Sequence, residues 1–179
     1  MTIFVAGIHG AGKTFATKPA CQKLGLKHAT ASQLIKEERG LASWDAGKMV
    51  SDVDLNQLAL IAAATRIRDA GETLVLDGHF VLRRAPGLHE RLSIDVFRAL
   101  KCTSLLLIRN PVSVVFDRLI ARQDMTWDRA ELERFSEAED AHGAEVAKAL
   151  GITLTILDTP SLDDVAAWLK VASTTDGPV

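Results

Sequence analysis

Cysteine is scarce in this chain, long apolar runs are missing, and neither sign of charge prevails. Two cysteines, Cys21 and Cys102, among 179 residues are too few for a disulfide framework or a zinc site, and they suit a reducing cytosol. The longest uninterrupted apolar run, residues 58–64, covers 7 positions, far short of a bilayer span. Lys and Arg number 21 against 23 Asp and Glu, a formal charge of −2. That balance argues against a broad nucleic-acid face while leaving room for a local basic pocket. The first residues enter an apolar run without a basic leader, so neither a secretory signal nor a membrane role is expected, and the expected location is cytoplasmic. No repeat of 20–50 residues and no low-complexity stretch is present.

What is there is a core. Hydrophobic residues make up 47% and charged residues 25%, the balance of a globular protein that can offset its ordering entropy. Short apolar runs alternate with helical periodicity. Strands are expected at residues 2–6, 26–30, 73–77, 104–108 and 152–157. Helices are expected at 13–24 (with Pro19 as a flaw), 31–39, 54–68, 94–100, 112–122, 128–150 and 162–171. Asp54 reads as the cap of the third helix, with Leu55, Leu58, Ala59 and Ala62 as its apolar stripe. Residues 78–91, rich in Gly, Pro and Arg, read as a loop, and residues 41–52 as a mobile segment. In the 128–150 helix, Glu131, Glu133, Arg134, Glu137, Glu139 and Asp140 read as a solvated outer face. Alternating nearly all-apolar strands with helices predicts an α/β fold, a doubly wound sheet of about five parallel strands flanked by helices.

The most informative segment is Gly7-Ile8-His9-Gly10-Ala11-Gly12-Lys13-Thr14, a phosphate-binding loop between a predicted strand and a predicted helix. Its glycines let backbone N–H groups turn inward around phosphate oxygens at a helix N-terminus. Gly7, His9, Gly10, Ala11, Gly12, Lys13, Thr14 and Phe15 are therefore candidate ATP contacts. Lys13 is placed to reach the outer phosphates and the Thr14 hydroxyl to hold Mg²⁺. Asp77, closing an apolar strand, is the candidate Walker B aspartate and second metal residue. Residues 17–20, Thr-Lys-Pro-Ala, do not supply the base-reading motif of a GTPase, and a motor ATPase would be larger. A small-molecule kinase suits the chain best; an ATP-driven switch or partner-binding module is the alternative, and a nucleic-acid 5′-end kinase is disfavoured by charge.

Gly7 to Thr14, Asp77-Gly78, and Asp117-Arg118-Leu119-Ile120-Ala121-Arg122 together resemble the nucleoside monophosphate kinases, adenylate kinase above all. The resemblance implies a P-loop kinase acting on Mg·ATP. Arg118 would lie against the adenine and Arg122 on the transferring phosphate, both joining Lys13 and Asp77 in catalysis. Residues 28–36 align with the opening of that family's monophosphate site, which makes Thr30, Ser32 and Lys36 acceptor candidates. Gln33 and Lys36 stand where the family has Asp and Arg, and Asp77-Gly78 is followed by His79, Arg83 and Arg84 instead of Phe-Pro-Arg. His79, Arg83 and Arg84 join the acceptor candidates. The implied acceptor is nucleotide-like, with AMP leading. Residues 1–179 are expected to form a single P-loop kinase-like domain, monomeric or homodimeric, with a helical acceptor arm around 31–70 and a short lid around 122–129. Lys48, Asp52, Asn56 and Gln57 fall where that arm begins. Trp44 is open to stacking on a base, whereas Trp127 reads as a packing residue.

Overall fold

The computed structural model describes residues 1–40 and 53–174. In chain order the elements are β1 (Thr2–Ala6), α1 (Lys13–Leu24), β2 (Lys27–Thr30), α2 (Ala31–Glu38), α3 (Val53–Asp69), β3 (Leu74–Asp77), β4 (Val81–Ala85), β5 (Leu88–Arg91), α4 (Ile94–Ala99), β6 (Cys102–Arg109), α5 (Val112–Ala121), α6 (Arg129–Leu150), β7 (Leu154–Asp158) and α7 (Leu162–Ala172). Five strands form one sheet in the order β2-β3-β1-β6-β7, and every pairing in it is parallel. The expected doubly wound sheet is the observed one.

Side-chain alternation along β1 explains why the strands had to be apolar throughout. Ile3 and Val5 join Val75, Leu106 and Ile108 beneath α1 and α7. Phe4 and Ala6 face the other way, joining Leu76, Leu105 and Leu107 beneath the remaining helices. A strand covered on both faces has no solvated side on which to place polar residues. Helix α1 runs through Pro19 to Leu24 and stops at Gly25 in the left-handed conformation. A serine begins α7 with a reciprocal cap, Ser161 and Asp164 each accepting from the other's backbone N–H.

Three expectations need correction. Residues 78–91 contain an antiparallel hairpin, β4 with β5, where a loop was expected; Gly87 at φ +73° makes its turn. Helix α3 runs from Val53, so Asp54 lies in its first turn. Its buried face also differs: Leu55 and Leu58 are exposed, while Asn56, Gln57, Ala59, Leu60, Ala63 and Ala64 point inward. Finally, α6 is not a solvated face throughout, because Glu131, Glu139 and His142 are buried. Trp44, Lys48 and Asp52 lie outside the described residues.

Candidate functional site

At the C-terminal end of β1 the chain must turn sharply. Gly7 takes φ +147°, and a Cβ there would lie 2.5 Å from the Ile108 carbonyl oxygen of β6, so no side chain is accommodated. The loop then closes with the Ala11 N–H donating to the Ile8 oxygen at 3.1 Å, and Asn110 Nδ2 pins the Ala11 carbonyl at 2.8 Å. Gly12 caps α1 at φ +91° and has no side chain to occupy the first-turn N–H groups. Those donors face the loop together with the positive end of the helix dipole.

Lys13 is buried within this turn, its Nζ donating to the carbonyls of Gly7 (2.7 Å) and Ile8 (3.3 Å). Burial lowers its pKa, against the pull of Asp77 and Glu139. Asp77 is carried to the loop by strand register, paired with Val5. Its Oδ1 lies 3.9 Å from Lys13 Nζ, and its Oδ2 accepts from the Thr14 hydroxyl. A hydroxyl and a carboxylate side by side are hard oxygen donors of the kind Mg²⁺ takes, one or two from protein and the rest from phosphate and water. His28, 3.1 Å from Thr17 Oγ1 and 4.0 Å from Asp77 Oδ2, backs this carboxylate; burial lowers its pKa.

These groups head a cavity of about 410 Å³. Phe15 stands at it, 72% exposed, and Arg122, the C-cap of α5, lines it. Arg118, one turn earlier, donates from Nη1 to the Gly10 carbonyl at 3.2 Å and so lies over the loop. Thr30, Ser32, His79 and Arg83 line the cavity. Lys36 and Arg84 are not among its lining side chains; Arg84 pairs with Glu90 across the hairpin at 3.4 Å. Thr30 also caps α2, accepting from Gln33 N–H at 3.1 Å. Trp127 packs, as expected, beside Phe135.

Two glutamates on α6 brace the walls. Glu139, 1% exposed, accepts from the Phe80 N–H at 2.9 Å and sits 3.0 Å from His79 Nδ1. Burial pushes its carboxyl up to about 7. The His79 ring in turn lies 4.4 Å from that of His9 in the loop. Glu131 grips Arg83 at 2.7 and 2.8 Å and accepts from Gly87 N–H at 2.8 Å. Hydrogen bonding from the Arg83 guanidinium holds its carboxyl down to about 2. Arg83 also lies 3.8 Å over the Trp127 ring. Sequence reasoning missed both glutamates, although a signal existed: Leu132, Phe135, Glu139, His142 and Val146 recur at alternating spacings of about three and four, the mark of an inward stripe.

Residues 6–135 match the AAA domain family AAA_17. The chain belongs to this family. The matched residues of this AAA domain run from the end of β1 through the hairpin to the start of α6. Among solved structures, it resembles a shikimate kinase from Acinetobacter baumannii in complex with shikimate, at 15% identity and TM-score 0.65 over 98% of this chain and 95% of the other. A shikimate kinase from Aquifex aeolicus matches at 11% identity and TM-score 0.61, over 97% and 96%. A sugar kinase from Janibacter sp. matches at 17% and 0.53, over 96% and 93%. At such identities the likeness is one of fold. No curated protein matches the chain. Among the described residues no helix is long and apolar enough to cross a membrane, and no cluster of three or more His, Cys, Asp or Glu forms a metal cage.

Proposed function

We propose that this AAA-domain protein is a Mg·ATP-dependent phosphotransferase acting on a small, nucleotide-like acceptor. The observation that carries the reading is the joining of two things in one cavity: a loop built around Lys13, Thr14 and Asp77, and a roomy apolar recess continuous with it. In this reading the loop amides of Gly10, Gly12, Lys13 and Thr14 cradle the phosphates, with Lys13 at the outer ones. Arg118 lies over the adenosine side and Arg122 meets the charge spreading on the transferring phosphoryl group. Thr14 and Asp77 would hold Mg²⁺, whose part is to neutralise the phosphate oxygens. As the acceptor oxygen bonds to the γ-phosphorus, the bond to the β,γ-bridging oxygen breaks and ADP leaves with that electron pair. The protein's contribution is alignment and charge, and the buried floor keeps water from the reacting phosphoryl.

For AMP, the acceptor implied by resemblance, the supporting cations are engaged or distant. Arg83 is bound to Glu131, Arg84 to Glu90, and Lys36 stands off the cavity lining. The charge balance therefore favours an acceptor with less negative charge than a monophosphate. A test is ADP release from Mg·ATP across an acceptor panel of nucleosides, monophosphates, shikimate and sugars. Release that rises at least tenfold with one acceptor class supports the phosphotransferase. Slow release that ignores every acceptor assigns the protein to the switch class instead.

A further inference from the structure

Resting on that reading, we infer that the acceptor is an uncharged alcohol of the nucleoside class, read by the Gln57 amide. The recess away from the phosphate loop is walled by Phe4, Leu60, Val96, Phe97 and Leu100, with Phe4 and Phe97 edge to face at 5.2 Å. Into this apolar surround α3 turns two amides. Asn56 is held, its Oδ1 accepting from Arg39 Nη1 at 2.5 Å. Gln57 lines the same cavity, 8% exposed, and its Oε1 is buried without a hydrogen-bond partner among the described residues. A buried, unanswered carbonyl is costly and calls for an explanation. A rotation of the Gln57 side chain brings this oxygen to the cavity surface, where a ligand's N–H or O–H donor supplies one.

The rest of the recess selects the ligand's other properties. A shikimate-like acid would strand its carboxylate against phenyl and aliphatic walls, which is unfavourable without partners. A second phosphate would meet Arg122 as the lining cation, among the described residues, that is not already paired with Asp77 or Glu131. A nucleoside has what the recess asks for: a flat ring with apolar faces, N–H donors on its edge, and a sugar hydroxyl. That hydroxyl oxygen bonds to the γ-phosphorus, the β,γ-bridging P–O bond breaks, ADP takes the electron pair, and the hydroxyl proton passes to solvent. The products are a nucleoside monophosphate and ADP.

The test uses the full chain with Mg²⁺ and a non-hydrolysable ATP analogue, titrated calorimetrically with adenosine, guanosine, cytidine and uridine, their monophosphates, and shikimate. ADP release from ATP is followed with the same compounds. At least one nucleoside is expected to bind and to raise ADP release tenfold or more, with its monophosphate inert. Gln57→Leu, and Gln57→Met as a closer match in length, are expected to weaken nucleoside binding about tenfold. Their melting temperature should be unchanged or higher, because a buried unpartnered oxygen is removed. Binding of no nucleoside, acceptance of a monophosphate or shikimate in its place, or undiminished nucleoside binding in folded Gln57 variants overturns the inference. Failure of the ATP analogue itself to bind would instead strike the phosphotransferase reading.

Discussion

The phosphate loop and the hairpin wall of the cavity handle charge in opposite ways. At the loop end, the charged side chains Lys13 and Asp77 lie 3.9 Å apart amid main-chain dipoles, and the one buried carboxyl behind them, Glu139, is pushed up to about 7. At the hairpin wall, the charge of Arg83 is cancelled by a two-point grip from Glu131, whose carboxyl stays ionised down to about 2. These glutamates share a helix and a residue type. Their environments separate them: burial raises Glu139, with its backbone donors only partly offsetting this, whereas the Arg83 guanidinium, helped by the Gly87 N–H and His89, holds Glu131 low. The loop is arranged to receive negative charge, and the hairpin wall beside it has already settled its own.

Four changes test that contrast. The largest effect is expected from Lys13→Ala, which removes the loop's ammonium and should lower turnover by about a thousandfold or more; initial rates of ADP formation measure it, and a loss under tenfold would erase the distinction between the two regions. Next comes Glu131→Ala, which leaves the Arg83 charge uncompensated and should destabilise the fold by ~3 kcal/mol, as read by denaturant unfolding. The third concerns pH. Because burial raises the folded-state pKa of Glu139 from 4.5 to about 7, its contribution to stability is fully present below pH 4.5 and is lost as pH rises through about 7. Glu139→Gln should flatten that part of the stability profile, a difference of at most ~3 kcal/mol. Glu131 has the reverse sign: its contribution is present above pH 4.5 and lost as pH falls towards 2. The smallest effect is expected from Arg122→Ala, about a hundredfold in kcat with little change in ATP affinity. Equal losses in both would make Arg122 a binding residue.

The loop end was legible in the sequence because its chemistry is contiguous. Eight consecutive residues specify the turn, the donors and the lysine, and Asp77 follows from an apolar strand that ends on a carboxylate. The rest of the cavity was not, for physical reasons that differ by element. Residues 58–64 of α3 are all apolar, so hydrophobicity alone does not set the phase of that helix, and the inward turn of Asn56 and Gln57 follows from tertiary packing. The hairpin of β4 and β5 is held by Glu131 reaching Arg83 and Gly87 from more than 40 residues away, and no local pattern carries that information. The five-strand sheet was readable because double-faced burial leaves a continuous apolar signature in each central strand.

A loop that cradles phosphates holds those of ATP through its own backbone amides. The direct measurement is backbone amide NMR during titration with Mg²⁺ and a non-hydrolysable ATP analogue. Large shifts at Gly10, Gly12, Lys13 and Thr14 that saturate together, and that vanish in Lys13→Ala, are the predicted result. A titration in which those four amides stay still would contradict it.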